Sequence, residues 1–201
     1  MVDMDNRIIS QLLRGLKVTA NYMTALILFV VFTMPIITLS SDSGLQNAMT
    51  AFSFLVFLFL FYIVYVDMRV MAFKEKRPQY NITPPPYKGV FYGIIGMIPL
   101  VLFQAVLLLL KFPEDLQVLK RKLYQGFAGP LYWLSRLLGD DPAHYVVSFA
   151  ILIVIAGLGY YAGYKEFYIV SFIRQKLGIK PKQKPGRAGN PAGRKDSRMR
   201  K

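Results

Sequence analysis

The chain has 201 residues, of which 54% are hydrophobic and 14% aromatic, with a mean hydropathy of +0.37 and a formal net charge of +14. A soluble globule of this size has too little polar surface to cover so much apolar side chain, so an ordinary soluble domain is excluded and lipid becomes part of the solvent. The absence of cysteine excludes disulfides, thiolate metal sites and a cysteine nucleophile.

Residues 1–17 predict an amphipathic segment. Ile8, Ile9, Leu12, Leu13 and Leu16 share one helical stripe, while Arg7, Arg14 and Lys17 lie off it. Four apolar runs follow, at about 18–39, 51–70, 90–110 and 145–164. Each reaches the roughly 20 residues that a helix needs to cross a bilayer. They are continuous rather than alternating, which favours helices over barrel strands. The first run exceeds a signal-peptide core and three more spans follow, so it reads as a span and not as a cleaved leader. Pro35 and Pro99 are expected to bend the first and third spans.

The loop between the first two spans reads "SSDSGLQNAM" and carries no Lys or Arg. The next, "KEKRPQYNITPPPYKG", is basic and stiffened by Pro84, Pro85 and Pro86. Asp67 and Arg69 are expected at the interface that closes the second span. Between the third and fourth spans, Leu116, Leu119, Leu123, Phe127, Leu131, Leu134 and Leu138 recur at helical spacing, and Gly129-Pro130 should kink or split that helix. Tyr132 and Trp133 suit the headgroup zone. Two placements stay open for this segment: a helix lying flat at the interface, or an element that re-enters the membrane.

Alternation places twenty Lys and Arg on one side of the membrane and five on the other, which predicts cytoplasmic termini. Eleven of the twenty lie in the tail, residues 174–201, against one acid, Asp196. They are Arg174, Lys176, Lys180, Lys182, Lys184, Arg187, Arg194, Lys195, Arg198, Arg200 and Lys201. The tail's glycines and prolines disfavour a helix, and it has no aromatic residue to stack on bases. An anionic leaflet is therefore the expected contact, with RNA the weaker reading.

Catalytic, cofactor and metal sites are not expected. There is no paired-histidine spacing, no Walker loop and no Gly-x-Ser-x-Gly, and His144 reads as a polar cap at the start of the fourth span. Asn21 and Gln104 are polar residues at membrane depth and candidate intramembrane polar contacts; Gln104, the deepest, is expected to bond another helix, with a substrate or ion contact as the alternative. Gly157, Gly159 and Gly163 mark a close helix contact in the fourth span.

The expected fold is all-α: a polytopic integral membrane protein with four transmembrane helices over 18–173, interfacial amphipathic helices, and a disordered basic tail over 174–201. Size and layout suggest a bacterial inner-membrane protein. Two roles fit: a non-enzymatic scaffold or accessory subunit, with a membrane protein or a second copy of the chain as partner, or a small-molecule transport component.

Overall fold

A computed structural model describes residues 8–39, 42–76, 84–111, 113, 116–139 and 141–166. The basic tail lies outside these residues. Among the described residues every regular element is helical: α1 (Ile8–Leu39), α2 (Asp42–Glu75), α3 (Lys88–Leu109), α4 (Gln117–Phe127), a 3₁₀ turn (Gly129–Leu131), α5 (Tyr132–Leu138), α6 (Pro142–Ser148) and α7 (Ala150–Tyr164). Four helical stretches are long and apolar enough to span a membrane: within α1, within α2, α3, and α6 with α7 together. The chain is a multi-pass membrane protein.

Around the bundle the order is α1, α2, α7, α3, each packing on its two neighbours. Sequential spans run antiparallel. The non-sequential neighbours run parallel, since Gly159 of α7 lies at Tyr65 of α2 and Gly163 at Arg69. The core stripe of α1 is Val18, Tyr22, Ala25 and Phe29, all buried, while Ile27, Val30, Val31 and Met34 point outward. Both stripes are apolar, as expected for a helix with protein on one side and acyl chains on the other.

Three boundaries differ from the sequence expectation. The amphipathic segment and the first span form one continuous helix of 32 residues, about 48 Å long against a hydrocarbon core of about 30 Å. Its exposed Ile8, Ile9, Leu12 and Leu13 extend the lipid-facing surface past the span. The predicted loop "SSDSGLQNAM" is helical from Asp42. Its Ser, Asp and Asn favour turns locally, but Arg136 of α5 donates to the Gln46 carbonyl at 3.0 Å and to Thr50 Oγ1 at 2.7 Å and ties this stretch down. At its other end, α2 does not stop at Val70 but continues to Glu75, with Ala72 fully buried.

The split expected at Gly129-Pro130 is present, as a 3₁₀ turn between α4 and α5. Ala128, Gly129, Pro130 and Leu131 are all buried. The inward face of α4 is not the leucine stripe. Leu116, Leu119 and Leu123 are exposed, and Tyr124 turns in. Apolar periodicity marks a lipid-facing side as readily as a core side, so it could not fix the register here.

Irregular backbone within a membrane bundle persists only where its polar groups are satisfied inside the protein. Three spanning helices supply that satisfaction. The Tyr22 hydroxyl of α1 donates to the Phe127 carbonyl at 2.6 Å, Ser53 Oγ of α2 to the Gly129 carbonyl at 2.7 Å, and Gln104 Nε2 of α3 to the Tyr124 carbonyl at 3.3 Å. Gly129 is required by close approach, because a Cβ there would overlap the Phe29 ring.

Candidate functional site

The polar chemistry of the bundle converges on Glu75, the last residue of α2. Its side chain is 2% exposed. Oε1 accepts from Arg14 Nη1 of α1 at 2.6 Å and from the Tyr92 hydroxyl of α3 at 2.6 Å. Oε2 accepts from Lys88 Nζ of α3 at 3.0 Å and from the Tyr160 hydroxyl of α7 at 2.7 Å. All four spanning stretches meet on this one carboxylate, and each oxygen has two donors.

Local sequence explains how the groups reach it. Lys88 and Tyr92 are one turn apart on α3 and so share a face. Gly89 and Gly93 lie on the same face and bring α3 against α7, since a Cβ on Gly89 would overlap Tyr160 and one on Gly93 would meet the Ile153 backbone at 2.7 Å. Gly96 and Gly15 bring α3 against α1. The close backbones leave room at the centre for two tyrosine rings, whose centroids lie 6.0 Å apart, nearly edge to face.

Glu75 stands at the carboxyl end of a helix and Lys88 at the amino end of another. Both positions oppose the helix dipole, at a cost of about 0.3–1 kcal/mol each. Helix preference therefore does not account for either residue, and their mutual pairing does. Removing one member of such a buried set leaves an uncompensated charge.

A second, more exposed cluster lies two turns along α2. Asp67 accepts from Lys17 Nζ at 3.0 Å and from Asn21 Nδ2 at 2.8 Å. Asn21 thus bonds a residue of α2, and Asp67 and Arg69 diverge as their spacing requires. The Arg69 guanidinium sits over the Phe73 ring, 5.6 Å from its centroid. Gln104 is fully buried and bonds the α4 backbone as described; its Oε1 has no hydrogen-bond partner among the described residues.

Gly159 and Gly163 are consumed inside the chain. A Cβ on Gly159 would come within 2.7 Å of the Tyr65 carbonyl, and one on Gly163 would overlap the Arg69 carbonyl. Gly157 faces Val90 of α3 instead. These three glycines therefore face neighbouring helices of the same chain.

His144 serves as a cap. Its Nδ1 accepts from the Asp141 backbone N–H at 3.3 Å, with Pro142 in the first turn of α6. Next to it, the Tyr124 hydroxyl donates to the Pro142 carbonyl at 2.5 Å. Burial pushes that phenol above its ordinary value, so it keeps the proton it donates. A cleft of about 530 Å³ opens here, lined by Gln117, Lys120, Tyr124, Gln125, Asp141 and Tyr145 among others. Among the described residues no three His, Asp or Glu side chains gather as metal ligands do.

Sequence reasoning missed the Glu75 cluster. Glu75 sits in "FKEKRP", where one acid among three bases resembles a solvated loop. The available signal was the apolar run Val70–Phe73 after Arg69, which extends the helix, together with Lys88 and Tyr92 at one-turn spacing beside two glycines. Compared with known proteins, the chain matches no family model, no curated protein and no solved structure.

Proposed function

We propose that the chain is a non-enzymatic scaffold or accessory subunit of a membrane complex, seated in the bacterial inner membrane with both termini in the cytoplasm. The observation that carries this reading is the saturation of Glu75. The buried carboxylate where the four spanning stretches meet is fully used by groups of its own bundle, so the converged polar chemistry serves assembly of a rigid body. The outward apolar helix faces and the basic tail are then the surfaces offered to others. The tail's cations engage the anionic cytoplasmic leaflet, each worth about 1 kcal/mol near the surface. Its lack of aromatic residues makes RNA the weaker partner.

Photocrosslinkers at the outward residues Val31, Leu58, Leu102 and Leu158 sample one face of each spanning stretch in intact cells. The expected result is a discrete protein adduct, either a second copy or a different membrane protein, from one or two faces and lipid adducts from the rest. Lipid adducts alone from all four would sink the scaffold reading.

A second reading, a transport component, is favoured by one feature. Gln104 offers a fully buried carbonyl oxygen, without a hydrogen-bond partner among the described residues, on the span whose carboxyl end borders the polar cleft at Lys120 and Tyr124. Solute dependence of the crosslinking pattern would support it.

Sidedness has its own test. The twenty-to-five distribution of Lys and Arg predicts that a reporter active only in the cytoplasm works when fused after Lys201 and fails when inserted at Ser43. An inactive carboxy-terminal fusion would contradict an even number of crossings.

A further inference from the structure

We propose that the cleft between α1, the start of α2 and α4 binds one anionic phospholipid, with an acyl chain along α1 and the phosphate on Lys122. The inference stands on this cleft alone and does not depend on the scaffold reading. The cleft encloses about 510 Å³, within the range of ligand sites. Its α1 wall is Phe29, Val30, Met34 and Ile37, and α2 adds Leu45 and Met49. Val30, Met34 and Ile37 are 50%, 68% and 48% exposed on a spanning helix, so the cleft opens sideways toward acyl chains and not toward water.

The α4 wall has a different character. Lys122 and Gly126 are one turn apart and share a face. A Cβ on Gly126 would meet nothing within 4 Å, so this part of the wall is open space. Lys122 makes no hydrogen bond or ion pair among the described residues. Its neighbours are committed: Lys120 Nζ donates to the Leu108 carbonyl at 2.9 Å and the Leu110 carbonyl at 2.8 Å, and Arg136 is held by α2. Among the described residues no acidic one lines the cleft, while Gln46, Gln125 and Tyr132 add polar groups to its wall. An apolar trough ending in an unpaired ammonium complements an acyl chain that ends in a phosphate. A zwitterionic headgroup would bring a second ammonium toward Lys122, which favours a net negative lipid. The site also gives a use to part of the basic cluster on the side of the membrane poorer in Lys and Arg.

Native mass spectrometry of the full-length protein tests this. Phosphatidylglycerol and phosphatidylcholine with identical chains are compared at raised volatile salt, which weakens loose exposed contacts such as those of the tail. The wild type should retain one phosphatidylglycerol with about tenfold preference, typical of one charge-assisted phosphate contact. Gly126→Leu projects into the wall where a Cβ meets nothing within 4 Å, and should abolish retention while the melting temperature is kept. Lys122→Gln should reduce the preference to about twofold or less on the same scale. Equal retention of the two lipids by the wild type, or undiminished preference in either variant, overturns the proposal; the latter would assign the lipid to the basic tail.

Discussion

Glu75→Ala is expected to destabilise the bundle by about 3–5 kcal/mol, because it removes the carboxylate that the Arg14 and Lys88 cations share at a buried junction. Two tyrosine hydroxyls lose their acceptor at the same time. Thermal unfolding in detergent, followed by circular dichroism, measures the loss. Burial sets the magnitude, which a second carboxylate on the same helix makes clear. Asp67 also pairs with a lysine, but its side chain is 28% exposed and that of Lys17 is 50% exposed. Asp67→Ala should cost about 1 kcal/mol or less. If the two alanine variants melt alike, Glu75 is not the tie that its geometry describes. The cluster should also behave non-additively. Glu75→Leu combined with Arg14→Leu and Lys88→Met should recover part of the loss, since replacing a whole buried ionic set by apolar groups is close to neutral.

Gly163→Ala is expected to be destabilising although alanine is the better helix former. The added Cβ meets the Arg69 carbonyl and lies 2.8 Å from the Ala72 Cβ, so α2 and α7 must separate. Overpacking of this kind costs about 1–3 kcal/mol, against a helix-propensity gain of about 1 kcal/mol. The contact is with backbone, which cannot move aside as a flexible side chain can, so the steric term should win. Gly159→Ala should follow it, with the Tyr65 carbonyl at 2.7 Å. Gly126→Ala is the comparator, since it meets open space and should be neutral or stabilising. The same melting measurement ranks all three. If Gly163→Ala raises the melting temperature as Gly126→Ala does, the close approach of α2 and α7 is wrong.

The residue sequence by itself determined that the chain is helical and lives in lipid. Four runs near the length of a hydrocarbon core leave no other way to satisfy their backbone. It also marked Gly159 and Gly163 as close-contact positions, Gln104 as a residue needing a partner on another helix, Asn21 as a polar residue at membrane depth, and Gly129-Pro130 as a break. Each of these follows from a single residue's chemistry, whatever surrounds it. Tertiary structure decided which groups answer them. Asn21 meets Asp67, 46 positions away, and Gln104 meets the backbone of a segment that sequence alone left either flat or re-entrant. It also decided that Glu75 is a buried junction and not loop charge, because four helices converge there from positions as far apart as Arg14 and Tyr160. The leucine stripe of α4 shows the physical limit. In water an apolar stripe identifies the buried side of a helix, but in a bilayer both sides are apolar. The inward register then depends on which polar groups, here the Tyr22, Ser53 and Gln104 side chains, reach the broken backbone.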